Sequence, residues 1–246
     1  MGAPKVSNPP IVCLPGLGAN ARLFAALIER GATVPAWPEP NAPDLATADL
    51  AAYADRVRDD LIAQSLWHDA IIVGFSFGGQ IALSAAARAA DRGLPMPRGI
   101  VLVSAPRRSD AIVARFRRQV ALSRPLPGRL IAWAAERLVA NRFAAVCGLD
   151  EPQTRELRAM AAELDVPLFK RQAQLAARWQ FSAGEEQSIR EAGTAIEHVH
   201  AERDPVIPAP PSDVPGVVRV PGRAHLLTWT HAALVDDAIA RAAGHR

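Results

Sequence analysis

Cysteine, lysine and tyrosine are all scarce in this chain of 246 residues, which carries two cysteines, one tyrosine and only Lys5 and Lys170 as lysines. Cys13 and Cys147 stand far apart, in no CxxC pair and with no histidine at ligand spacing. That pattern excludes a zinc module and a disulfide framework, and two free thiols fit a reducing, cytoplasmic setting. Charge of one sign is missing too: 28 basic residues against 25 acidic ones leave a formal charge of only +3. Without a basic stripe interleaved with aromatics, a nucleic-acid partner is excluded. No apolar run approaches the about 20 residues that span a bilayer, so no membrane partner is expected. Met1-Gly2-Ala3-Pro4-Lys5 lacks the apolar segment of a signal peptide. Internal repeats and low-complexity tracts are absent, and no pattern of residues calls for a metal or another cofactor.

What is present is an ordinary globular balance. Half of the residues are apolar (50%) and 22% are charged, and this length suits one α/β domain with a large core. Apolar, β-rich runs at 10–14 and 33–37 flank a helix-patterned stretch at 20–29. A second helical stretch, 45–66, leads into the wholly apolar 70–73, and a small-residue helix over 77–90 precedes another apolar run at 99–103. Continuous apolar character marks strands buried on both faces. From 107 to 184 strand signals stop, and Arg-studded amphipathic helices follow one another, broken at Pro125, Pro127, Gly148, Pro152 and Pro167. Strands return at 196–200 and 217–220, and a helix over 231–243 closes the pattern. Alternating strands and helices predict a mostly parallel sheet of six strands covered on both faces. The pattern divides the chain into a core, 1–106 and 185–246, and an inserted helical block, 107–184.

The chemistry concentrates at Gly74-Phe75-Ser76-Phe77-Gly78. A serine hydroxyl is a poor nucleophile at neutral pH and must be held exposed beside a base. A Gly-x-Ser-x-Gly turn between strand and helix does the first, since its glycines let backbone segments pass closely around a strained serine. The pentapeptide alone arises by chance in roughly one chain of this size in ten to twenty. Here it lies directly between an Ile/Val strand and a small-residue helix, which is the context the motif requires.

The base belongs after the last strand and its acid partner after the strand before. His225 and Asp204 occupy those places, in the order Ser76, Asp204, His225. Taken singly, His225 reads as a polar loop residue and Asp204 as a turn residue ahead of Pro205; jointly those readings explain little. Glu202 and Asp110 are alternative acids. The oxyanion of a tetrahedral intermediate needs two donors, and the backbone N–H groups of Phe77 and Leu17 are in position to supply them. The loop Leu14-Pro15-Gly16-Leu17-Gly18 reads otherwise as a phosphate cradle, but it carries neither Gly-x-Gly-x-x-Gly nor the Lys-Ser/Thr of a P-loop.

These residues, with Asp204-Pro205-Val206-Ile207-Pro208, resemble the α/β-hydrolase superfamily over the whole chain except the helical block. Leu14 to Gly18 and Phe75 to Gly79 are also similar to small bacterial carboxylesterases of the pimeloyl-carrier-protein methyl ester esterase type. The resemblance implies an α/β-hydrolase fold lacking its two leading strands and carrying a helical cap in residues 107–184. It further implies a cofactor-free serine hydrolase acting on a small-molecule ester or thioester. Pro15 stands where the family often has His, and Ala201 where it often has Gly. Phe143 and Trp179 are candidate pocket walls, with Phe116, Trp133 and Phe169; each is otherwise plain helix core. Arg107, Arg108, Arg115, Arg117 and Arg118 are candidates to attract an anionic substrate, or else form a solvated face. His68, His198, His200, His231 and His245 show no partner in the sequence. On the same fold, a cofactor-free lyase or carbon–carbon bond hydrolase, or a non-catalytic ligand-binding protein, remains open.

Overall fold

The computed structural model describes residues 9–39, 42, 45, 47–212 and 214–245; Met1 to Lys5 lie outside them. Five strands, β1 (Ile11–Leu14), β2 (Ile71–Phe75), β3 (Gly99–Val103), β4 (Ala195–Ala201) and β5 (Val217–Val220), form one sheet in sequence order. Every neighbouring pair is parallel. Parallel neighbours need long crossovers, and helices supply them. β2 and β3 are buried at every position, which is why their sequences show no polar alternation.

The expected sixth strand at 33–37 shrinks to a single bridge between Thr33 and Val12. The Thr33 N–H donates to the Ile11 carbonyl at 2.9 Å, and the Cys13 N–H donates to the Thr33 carbonyl at 2.8 Å. Beyond that point Pro35 has no N–H with which to continue a ladder, and Pro38 repeats the block.

Alternate strand residues feed two separate cores. Ile72, Ile100 and Leu102 pack with Tyr53, Leu61 and Ile81 from α2 (Leu50–Ala63) and α3 (Phe77–Asp91). Val73, Val101 and Val103 pack on the opposite face with Leu27 of α1 (Ala25–Ile28) and with Val235 and Ala238. The last two belong to α11 (Ala232–Gly244), which follows the short α10 (Leu227–Thr230). Asn20 and Asp49 cap this pattern locally: their side chains accept from the N–H groups of Arg22 at 3.1 Å and Ala52 at 2.8 Å. Such caps replace the carbonyls that a first helical turn lacks.

Between β3 and β4 the regular elements are helices: α4 (Ala114–Ser123), α5 (Gly128–Ala134), α6 (Ala140–Cys147), α7 (Glu151–Ala162), α8 (Val166–Arg178) and α9 (Ala183–Glu191). α5 runs into α6 through a π-helical turn, Ala135–Val139. Gly148, at φ 65°, ends α6 in the left-handed region. Pro152 and Pro167 behave differently from breakers: each sits in the first turn of a helix behind an aspartate cap, where its missing N–H costs nothing. Ile189 of α9 joins the α3 core, so this last helix packs with the sheet layer. Among the described residues, no helix is long and apolar enough to cross a membrane.

Candidate active site

Ser76 occupies the turn from β2 into α3 with φ 52° and ψ −114°. A serine held at positive φ is strained and persists only where its surroundings enforce it. Here the Ser76 N–H donates to the Val103 carbonyl at 3.0 Å, and the Ser76 carbonyl accepts from the Gly79 N–H at 3.0 Å. The flanking glycines are required by space. A Cβ on Gly74 would stand 2.6 Å from the Cα of Gly79, and one on Gly78 would overlap the Leu14 carbonyl at the end of β1. The close approach at Gly78 brings the loop after β1, with Leu17, onto the serine turn. Phe77 is the first residue of α3, so its N–H has no carbonyl one turn back to bond.

Asp204 and His225 follow β4 and β5. The His225 Nδ1 lies 2.7 Å from Asp204 Oδ2. The other carboxylate oxygen, Oδ1, accepts from the backbone N–H groups of Val206 at 2.7 Å and Ile207 at 3.0 Å. The Asp204 side chain is fully buried (0% exposed), and these donors satisfy it. Because a carboxylate only accepts, the short contact places the imidazole proton on Nδ1 and leaves Nε2 as the basic nitrogen. Phe75 and Phe143 hold the ring between centroids at 5.0 and 5.8 Å. Of the alternative acids, Glu202 is exposed and Asp110 borders a separate cleft with Arg107 and Arg108.

A pair of histidines that the sequence left without partners lies behind this acid. His198 and His200 are both buried, two residues apart on one face of β4. The His200 Nε2 lies 3.1 Å from the Ile207 carbonyl, so it carries the proton and donates. Its Nδ1, 3.1 Å from His198 Nε2, must then accept. Burial, reinforced by neighbouring charges, pushes His198 well below the ordinary histidine value. Burial also lowers His200, against the opposing pull of Asp204, so both rings are neutral near pH 7. His200 thereby grips the carbonyl of the residue whose N–H holds Asp204. The period-two spacing of His198 and His200, the latter four residues ahead of Asp204, was the available signal.

Ser76 borders two cavities of unequal size. The larger, about 400 Å³, is bordered by Ser76 and His225, and by Leu130, Phe143, Met160 and Leu164 from the helical block. The smaller, about 40 Å³, is bordered by Ser76, Leu17, Phe77, Ile112 and Phe116, and His225 is not on its wall. Leu17 borders both.

The helical residues singled out from sequence divide. Phe143 and Phe169 border the larger cavity and Phe116 the smaller. Trp179 borders neither: it is buried, donates from Nε1 to Ser84 Oγ at 3.0 Å and stacks on Phe181. Its indole N–H finds that partner on α3, which draws the ring into the core instead of the pocket. Trp133 is 52% exposed. None of Arg107, Arg108, Arg115, Arg117 and Arg118 borders either cavity at Ser76. Arg107 is paired with the buried Glu186 and donates to the Pro215 carbonyl at 2.7 Å. Both cysteines are free and buried, and burial pushes the Cys13 thiol up to about 12.

The family model described as "Alpha/beta hydrolase family" matches residues 11–238. No curated protein matches the chain. Among solved structures, a hydrolase from Pseudomonas aeruginosa PA01 is similar at a TM-score of 0.69 and 16% identity, over 99% of this chain and 92% of the other. A thermophilic esterase from Thermogutta terrifontis is similar at 0.68 and 15%, over 96% and 89%. The RedJ thioesterase of prodiginine biosynthesis in Streptomyces coelicolor is similar at 0.59 and 17%, over 100% and 96%.

Proposed function

The chain belongs to the alpha/beta hydrolase family, and from that premise we propose that it is a serine carboxylesterase-like hydrolase. It cleaves carboxylic esters or thioesters of small to medium acyl groups through an acyl-Ser76 intermediate. The observation that carries this reading is the 2.7 Å contact between His225 and the buried Asp204, made by a ring that shares a cavity wall with Ser76. His225 Nε2 takes the Ser76 proton during attack and returns it to the leaving oxygen or sulfur. Asp204 fixes the tautomer and stabilises the imidazolium. The amides of Leu17 and Phe77 hold the oxyanion, each such donor being worth about 10²–10³ in rate. Water then repeats the cycle on the acyl-enzyme.

In this reading residues 107–184 are a cap that roofs the serine and excludes water, and α9, which begins at the end of that block, packs with α3 instead. The likeness of the Ser76 and Leu17 segments to the small bacterial carboxylesterases supports esters over other substrates. The free, buried thiols fit a cytoplasmic setting. Replacing Ser76 by Ala brings hydrolysis of p-nitrophenyl acetate and butyrate to the background rate while leaving thermal unfolding in place. Turnover undiminished in that variant overturns the assignment, and inertness of the intact protein towards esters favours lyase or carbon–carbon bond chemistry on the same residues.

A further inference from the structure

The two cavities differ about tenfold in size, at about 400 and 40 Å³, and only the larger has the general base on its wall. We infer that the larger cavity holds the leaving group and the smaller the acyl group, so that the preferred substrates are short-chain acyl esters or thioesters of bulky, uncharged apolar alcohols or thiols. This rests on the hydrolase reading above and goes beyond it, because neither the family nor the catalytic residues set the proportions of a substrate.

The allocation follows from where the proton must go. In the first half-reaction the bond from Ser76 Oγ to the carbonyl carbon forms, and the bond from that carbon to the leaving oxygen breaks. The serine proton passes to His225 Nε2 and on to the departing oxygen, giving the free alcohol. The leaving atom therefore lies within hydrogen-bond reach of His225, and the group attached to it occupies the space His225 borders. The acyl substituent points away from the base, past Ser76, towards the walls made by Phe77, Ile112 and Phe116. A void of that size takes about three water-sized units, enough for an acetyl to butyryl chain. The larger cavity lies in the range that encloses a drug-sized ligand.

Charge is excluded on the large side. Apart from Ser76 and His225, the residues bordering it are aliphatic, aromatic, methionine or glycine, and an ionised group there would lose its hydration without a partner. The arginines of the helical block point to no anionic substrate, since none reaches either cavity. An ester of pimeloyl-carrier-protein proportions, with a long acid and methanol, is the reverse arrangement.

Octyl acetate and ethyl octanoate test this cleanly, being isomers of equal composition and similar polarity that exchange the long and short arms. The wild-type protein hydrolyses octyl acetate with kcat/KM at least about tenfold higher, because an octanoyl chain overfills the space beside Phe116 and leaves most of its length unburied, whereas the octyl arm is buried in the larger cavity. Phe116→Ala, which lengthens the small cavity, narrows that ratio by improving ethyl octanoate. Stoichiometric fluorophosphonate labelling of Ser76, measured on the same preparations, reports on the hydrolase reading independently. Labelling accompanied by an equal, reversed or undetectable preference overturns the size allocation alone; absence of labelling at Ser76 overturns the reading beneath it.

Discussion

Replacing Asp204 by Asn probes the acid at atomic resolution, because each oxygen of the carboxylate has a different task. Oδ1 accepts two backbone N–H groups, from Val206 and Ile207, so the amide oxygen of Asn has to take that place. The amide nitrogen is then left 2.7 Å from His225 Nδ1, and a donor there demands an acceptor on the ring. His225 responds by moving its proton to Nε2, the atom that in the proposed mechanism accepts from Ser76. The wrong tautomer, with no carboxylate to stabilise the imidazolium, costs about 10⁴ in kcat, or about 5.5 kcal/mol at 1.36 kcal/mol per decade. The change is nearly isosteric, so KM and the unfolding temperature stay close to wild type. Steady-state hydrolysis of p-nitrophenyl butyrate, with circular dichroism melting alongside, measures both. Glu202→Gln and Asp110→Asn serve as comparison variants and retain full rate. A loss smaller than about tenfold in Asp204→Asn, or an equal loss in either comparison variant, refutes the reasoning.

Two further outcomes concern stability. Burial works to raise the Glu186 carboxyl, but the hydrogen bonds and charges of Arg107 and Arg190 outweigh it and hold the group below the usual carboxylate range. Glu186→Ala leaves the Arg107 guanidinium, 3% exposed, without its partner. That costs about 3–5 kcal/mol and lowers Tm by about 6–20 °C, whereas a joint Arg107→Met, Glu186→Leu variant loses less; equal losses contradict the ion-pair account. The second outcome follows from His198 and His200, whose folded values lie below the ordinary 6.5. Between those values and 6.5 the unfolded chain binds protons that the folded rings refuse. Their contribution is therefore complete above about pH 6.5 and is lost as pH falls towards the folded values. Tm falls from pH 7 to pH 5, and the fall is shallower in a His198→Gln, His200→Gln variant; an unchanged slope in that variant contradicts the origin assigned to it.

The parts of this molecule that were legible in the sequence are those set by local chemistry. Strands β2 and β3 declare themselves because burial on both faces leaves nothing but apolar residues, and Ser76 because its turn tolerates only glycine at Gly74 and Gly78. The meeting of Asp204 with His225 was readable from their order relative to the strands. What was lost depended on partners distant in the chain. The run 33–37 has strand composition, but Pro35 stops an edge ladder after Thr33. Trp179 and Phe143 look alike as apolar residues on amphipathic helices, yet Ser84 claims the first and His225 the second. The larger cavity is walled mainly by aliphatic residues such as Leu130, Met160 and Leu164, which no periodicity separates from core. His198 and His200 acquire meaning only once the loop after β4 folds Ile207 back over them.

In the proposed mechanism Ser76 Oγ is the atom that becomes acylated, and mass mapping of the covalent adduct measures this directly. Brief exposure to a fluorophosphonate probe, followed by proteolysis, places one phosphonyl group per chain on the peptide containing Ser76; the adduct disappears in Ser76→Ala and forms far more slowly in Asp204→Asn. Modification at another residue, or labelling that survives the loss of the Ser76 hydroxyl, contradicts the account.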